Sequence, residues 1–109
     1  MIGRSGDDLL WGGEGADTID GGSGYDAARY DFATSGVYVR LDTGRGYAGE
    51  ATGDLLTSIE DLIGSAHADT LVGDSIGNFI EGRDGSDLLV GLGGDDHLFG
   101  QSGNDLLFG

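Results

Sequence analysis

Residues 82–108 read GRDGSDLLV GLGGDDHLF GQSGNDLLF: three units of nine, each opening on glycine (Gly82, Gly91, Gly100) with aspartate sixth (Asp87, Asp96, Asp105). Position four is glycine in each unit (Gly85, Gly94, Gly103) and position eight is leucine (Leu89, Leu98, Leu107). A period of nine fits neither the 3.6-residue turn of a helix nor a plain strand alternation. The units predict a tight turn followed by a three-residue strand whose middle side chain points inward. Glycine at positions one and four suits a turn that needs positive φ and close chain approach, where a Cβ would obstruct. Helix is excluded as the main element.

Working outward from this stretch, two more units precede it without a gap, GSAHADTLV (64–72) and GDSIGNFIE (73–81). Three more stand near the start, GRSGDDLLW (3–11), GGEGADTID (12–20) and GGSGYDAAR (21–29), and Gly109 opens a further unit. All eight units have glycine first, and seven have aspartate sixth, with Asn78 as the exception. Position eight is always apolar: Leu10, Ile19, Ala28, Leu71, Ile80, Leu89, Leu98 and Leu107. His67 and Ile76 replace glycine at position four in two units. Glycine-rich acidic chains are often disordered linkers, but a linker has no reason to keep glycine, aspartate and aliphatics in phase. The chain therefore reads as one repeat module over 1–109: a block at 3–29, an interruption at 30–63 and a block at 64–109.

Composition narrows the function. The 109 residues include 24 glycines, no proline and no cysteine, and 20 acidic residues against 5 arginines give a net charge of −15. Such a surface repels nucleic acid. Without cysteine there is neither a disulfide framework nor a thiolate metal site. A small acidic domain then needs another staple, and a hard cation is the candidate. Apolar runs are too short for membrane insertion or for a cleavable signal peptide. If the protein is exported, its export signal is expected elsewhere.

The phased units resemble the glycine-rich nonapeptide of repeats-in-toxin (RTX) proteins, GGxGxDxUx with U a large aliphatic, a calcium-binding β-helix repeat. The resemblance implies an all-β fold, a right-handed parallel β-roll in which two units form an 18-residue coil and unit n stacks on unit n+2. At strand spacing of roughly 4.8 Å, neighbouring turns can share an ion. By the same resemblance, several Ca²⁺ ions, about four or more, lie between stacked turns with oxygen ligands. The implied side-chain ligands are Asp8, Asp17, Asp26, Asp69, Asn78, Asp87, Asp96 and Asp105, with backbone carbonyls of Gly3, Gly12, Gly13, Gly21, Gly22, Gly82, Gly91 and Gly100. Asp8 pairs with Asp26, Asp69 with Asp87, Asp87 with Asp105, and Asn78 with Asp96. The best sites are expected between the Gly82 and Gly100 turns and between the Gly3 and Gly21 turns; those touching the Gly64 and Gly73 turns are weakened by His67 and Ile76. Aspartate suits position six because its single methylene reaches over the loop, whereas glutamate would overshoot. The thin aliphatic stack and the self-repulsion of the charge make the ion necessary for folding.

The interruption holds Val37, Val39 and Leu41 in strand alternation, and Ile59 to Ile63 leads into Gly64 with Leu62 in the inward phase. It either continues or flanks the roll, or it presents a ligand surface from Tyr25, Tyr30, Tyr38, Tyr47, Arg29, Arg40 and Arg45. Other motifs are discounted. Gly73 to Gly77 matches G-x-S-x-G without a following helix, and Gly44 to Gly49 matches G-x-G-x-x-G with the same lack. His67 and His97 fall at turn and outward positions, away from any catalytic role. On one sheet the outward positions read Thr70, Val72, Leu88, Val90, Leu106 and Phe108, an apolar face expected to be covered by the insert, a neighbouring domain or self-association.

The resemblance implies a non-catalytic calcium-binding module of a larger secreted bacterial protein that folds on calcium after export by type I secretion. The parent is left open among toxin, protease, lipase, epimerase and adhesin. A carbohydrate-binding accessory module acting on acidic polysaccharide, or a structural unit of an adhesin or surface layer, is the alternative.

Overall fold

A computed structural model describes residues 1–109. The strands, in chain order, are β1 (Leu9–Leu10), β2 (Thr18–Asp20), β3 (Ala27–Arg29), β4 (Tyr38–Arg40), β5 (Arg45–Ala48), β6 (Leu55–Thr57), β7 (Asp61–Ile63), β8 (Thr70–Val72), β9 (Phe79–Glu81), β10 (Leu88–Val90), β11 (His97–Phe99) and β12 (Leu106–Phe108). The chain is all-β apart from one 3-10 turn at Gly49–Ala51. No helix is long and apolar enough to cross a membrane.

The strands form a five-stranded sheet, β1-β3-β7-β9-β11, and a seven-stranded sheet, β12-β10-β8-β4-β5-β6-β2. Within the repeats, successive strands alternate between the sheets, and wherever two units follow in the same sheet the strands pair in parallel 18 residues apart: Leu10 with Ala28, Leu71 with Leu89, Leu89 with Leu107, Ile80 with Leu98. Position-eight side chains from both sheets meet in one core that includes Leu10, Ile19, Ala28, Leu71, Ile80 and Leu89. At the far end no strand stacks on β11 or β12. Leu98 is accordingly half-buried, and Leu107, though in the inward phase, is 47% exposed.

The interruption enters both sheets. After β3 the chain crosses to β4, which pairs in parallel with β8. It returns antiparallel as β5 and reverses again to β6, which lies parallel to β2. β7 then joins the five-stranded sheet between β3 and β9. Three strands thus occupy the seven-stranded sheet where one repeat would place a single strand. Eight of the 14 core residues come from this segment: Tyr30, Ala33, Val37, Val39, Ala51, Leu56, Ile59 and Leu62. The least repetitive part of the sequence is the most thoroughly packed.

Candidate metal centre

Position six stands just before each strand, and the parallel register stacks these residues into columns. The Asp8 amide donates to Asp26 Oδ1 at 2.9 Å, and the amides of Asp69, Asn78 and Asp87 donate at 2.8 Å to Oδ1 of Asp87, Asp96 and Asp105. The structure thereby brings together all four pairs anticipated from the 18-residue spacing. The columns continue through the insert: the Asp17 amide donates to Asp54 Oδ1 at 2.8 Å and the Asp26 amide to Glu60 Oε2 at 2.9 Å. Asp54 and Glu60 were not among the residues marked in the sequence. Their signal was present in the acid-x-aliphatic spacing of Asp54 to Leu56 and Glu60 to Leu62.

The eight turns divide into two kinds. Six are left-handed at both positions two and four: Arg4 and Gly6, Gly13 and Gly15, Gly22 and Gly24, Arg83 and Gly85, Leu92 and Gly94, Gln101 and Gly103. The turns beginning at Gly64 and Gly73 are left-handed at neither. The consequence falls on the carboxylate. In the Gly64 turn the Ser65 amide reaches Asp69 Oδ2 at 2.7 Å, while Ser65 Oγ and the Val37 amide reach Oδ1. In the Gly73 turn the Asp74 amide donates to Asn78 Oδ1 at 2.9 Å, and Asn78 Nδ2 donates to the Glu60 carbonyl at 2.8 Å. In the other kind of turn no such donor arrives. Oδ2 of Asp8, Asp17, Asp26, Asp87 and Asp96 is buried with no hydrogen-bond partner; Asp105, in the last turn, is half-buried.

Five buried carboxylate oxygens without donors call for a counter-charge, because an unpaired buried polar atom costs about 1 to 3 kcal/mol and a charged one more. Their surroundings suit a hard cation. A Cβ built on Gly3 would lie 2.6 Å from both Asp8 Oδ2 and the Gly21 carbonyl oxygen, so glycine keeps open a space lined by oxygens of two successive coils. The Ser58 carbonyl stands likewise against Gly21 beside Asp26 Oδ2, while the Gly82 and Gly91 carbonyls stand over Gly64 and Gly73, where the side chains are already satisfied; Gly12, Gly13, Gly22 and Gly100 lie in turns of the left-handed kind. No three acidic or histidine side chains converge at one point. An ion held here would take one or two carboxylates and complete its shell with carbonyls, a hard-oxygen set that fits calcium.

Electrostatics agree with this arrangement. Burial raises the Asp87 carboxyl to about 6, opposed by the Asp69 amide and reinforced by the charges of Asp69 and Asp105. Burial also raises Asp69, against the hydrogen bonds from Val37 and Ser65. Asp54 is raised by burial too, although the Asp17 amide and the Tyr30 hydroxyl both donate to it. None of these carboxylates takes part in an ion pair; those are Arg29–Asp31, Arg40–Asp42 and Arg83–Glu81.

The profile of the RTX calcium-binding nonapeptide repeat matches this chain in four copies, over residues 1–27 and 81–109. The chain belongs to that family. The matched segments hold all six turns of the left-handed kind, whereas the insert and the Gly64 and Gly73 turns fall between them. A search of curated proteins finds no match. As an RTX chain it is a calcium-binding repeat module.

Two surface expectations change. The insert gathers only part of its tyrosines and arginines: Tyr38, Tyr47 and Arg40 stand together on the β4–β5 hairpin, where Arg40 Nη1 donates to the Tyr38 hydroxyl at 3.3 Å, and Tyr25, Tyr30 and Arg29 lie apart. Tyr30 is 1% exposed, with its hydroxyl on Asp54 Oδ2 at 2.9 Å. Arg29 is bound to Asp31 and Arg40 to Asp42. Tyr25 lines a cleft on the opposite sheet with Asp61, Phe79 and His97, while Tyr38 and Tyr47 remain as a pair with ring centroids 5.1 Å apart. The reason is that the segment closes onto the core rather than standing off it. Nor does the insert cover the apolar face, because β4 lies beside β8 in the same sheet. Val72 is buried, Leu88 and Val90 are half-buried, and exposure rises at Leu106 and Phe108. His67 and His97 are exposed.

Proposed function

We propose that this chain is a calcium-triggered folding module of a larger bacterial protein that works outside the cell. The observation that carries this reading is the set of five buried, donorless Oδ2 atoms on Asp8, Asp17, Asp26, Asp87 and Asp96, all in turns of the left-handed kind. In the calcium-poor cell interior these oxygens and a net charge of −15 oppose compaction. Outside, each ion bound at a thousand times its dissociation constant adds about 4 kcal/mol to the folded state. Asp105 joins the same set through its bond from the Asp87 amide. Type I secretion suits such a chain, which would stay extended during export and fold on arrival. The module itself is non-catalytic in this reading, and a toxin, hydrolase, epimerase or adhesin would supply the activity of the parent.

Circular dichroism over a calcium titration from a chelated start, with magnesium as control, tests the proposal. A cooperative gain of β signal with calcium and none with magnesium is expected. Full β signal in chelator, unchanged by calcium, would overturn it.

A further inference from the structure

The insert contains a turn that matches the repeat turns without resembling them in sequence. Between β6 and Glu60 lie only Ser58 and Ile59, whereas five residues, Gly21 to Tyr25, separate β2 from Asp26. Three features of the repeat turn nevertheless recur. The Gly21 amide donates to the Thr57 carbonyl at 2.9 Å, as the Gly3 amide donates to Asp20 at 2.8 Å. The Ser58 carbonyl oxygen lies against Gly21 where a Cβ would stand, as the Gly21 carbonyl lies against Gly3. Glu60 Oε2 accepts the Asp26 amide at 2.9 Å, the bond that Asp26 Oδ1 forms with Asp8. Ser58 holds φ at +55°, a left-handed conformation uncommon outside glycine.

The carboxylate beneath this turn is Asp26, which is wholly buried, with Oδ2 lacking any partner. The Glu60 and Asp61 amides both donate to the Asp26 carbonyl at 3.0 Å, which holds the three acidic residues side by side. No arginine pairs with any of the three. In this shortened turn the extra methylene of glutamate does not overshoot. It makes up for the missing residues.

We propose that Glu60 is a calcium ligand, forming with Asp26 and the Ser58 carbonyl a cation site that ties the N-terminal repeats to the insert. The inference rests on the calcium-binding reading above and adds a ligand that the nonapeptide pattern does not contain. Native mass spectrometry of the whole chain at saturating calcium would count bound ions in the wild type, Glu60→Gln and Glu60→Asp. Both variants should hold one ion fewer than the wild type, or bind it at least tenfold more weakly, with Glu60→Asp failing because its arm is short. An unchanged count with affinity within twofold in Glu60→Gln would overturn the assignment while leaving the module's calcium binding intact. A wild type that binds no calcium would instead overturn the broader reading. Should Glu60→Gln not fold, the wild type decides: in the chain already folded with calcium, exchange of Ca²⁺ for Cd²⁺ should shift the ¹³C resonance of the Glu60 carboxyl, and a stationary resonance would refute the role.

Discussion

The Gly82 turn and the Gly64 turn sit in adjacent coils of the same sheet, yet they meet the same requirement in opposite ways. In the first, Arg83 and Gly85 are left-handed and Asp87 Oδ2 is buried without a donor. In the second, neither of those positions is left-handed, and Ser65 supplies both an amide and a hydroxyl to Asp69. One turn leaves a carboxylate oxygen without a partner, and the other completes it internally. The same contrast extends along the molecule, because Tyr30 does for Asp54 what Ser65 does for Asp69. On the proposed reading, the Gly64 and Gly73 turns and Asp54 meet their polar needs with internal donors, whereas the turns of the left-handed kind rely on ions.

Chelation should expose this difference most strongly. Hydrogen exchange in excess chelator is expected to lose protection at β1, β3, β10 and β12 by several orders of magnitude, with several sites each contributing about 4 kcal/mol. The amides of β4, β7 and β8 should retain more protection than either flank. Uniform loss across the chain would show that the centre has no stability of its own.

A change within one turn should sharpen the comparison. Gly85 has φ of +102°, and a Cβ there would lie 2.5 Å from the His67 carbonyl carbon. Gly85→His, which copies the residue found at the equivalent position of the Gly64 turn, should therefore cost at least 1 to 3 kcal/mol through strain alone. It should also abolish the ion site at Asp87. A calcium titration followed by circular dichroism should show a weaker, less cooperative transition; an unchanged curve would mean that left-handed geometry is dispensable.

The internal completion can be broken as well. Tyr30→Phe removes the donor to Asp54 Oδ2, and burial of that oxygen without a partner should cost about 1 to 3 kcal/mol. Thermal unfolding in chelator should report the loss from the central segment. The affinities of the outer calcium sites should hardly move, since Tyr30 touches none of the five donorless oxygens.

Much of this contrast was legible before any coordinates. Glycine at one and four, aspartate at six and an aliphatic at eight were enough to place the turns and the inward residues, and the family resemblance supplied the 18-residue pairing. His67 and Ile76 pointed to the two turns that differ. Position two was not legible, because Arg4, Arg83, Leu92 and Gln101 adopt the left-handed region at φ of 82°, 72°, 70° and 65° with no glycine to announce it. That conformation costs roughly 1 to 2 kcal/mol for an L-residue and is imposed by stacking of the coils. The insert was only partly legible for a related reason. Val37, Val39 and Leu62 showed their phase, but β5 returns as a local hairpin with Arg40 opposite Arg45, and its sequence RGYA lacks the apolar alternation that marks a strand. Glu60 lies in the interruption, outside the nonapeptide register, so no repeat position marked it.

Acid supplies the gentlest test, because protonation and calcium compete for the same oxygens. Asp87 has its carboxyl raised to about 6 in the folded chain, against about 3.9 for an unperturbed aspartate. Between those values the folded state binds more protons than the unfolded one, so in chelator stability should rise as pH falls from above 6 towards 4. The opposite sign applies to ion binding, which needs the carboxylate. Affinity at the Asp87 site should fall about twofold from pH 7 to 6, about fivefold more by pH 5, and roughly tenfold for each unit below that. At Asp69, burial raises the carboxyl as well, but three internal donors oppose that rise. Calcium titrations at pH 7 and 5 on Asp69→Asn and Asp87→Asn separate the two turns. The acid sensitivity of calcium binding should persist in the first variant and shrink in the second, and equal sensitivity in both would show that the two kinds of turn do not differ in how they meet their charge.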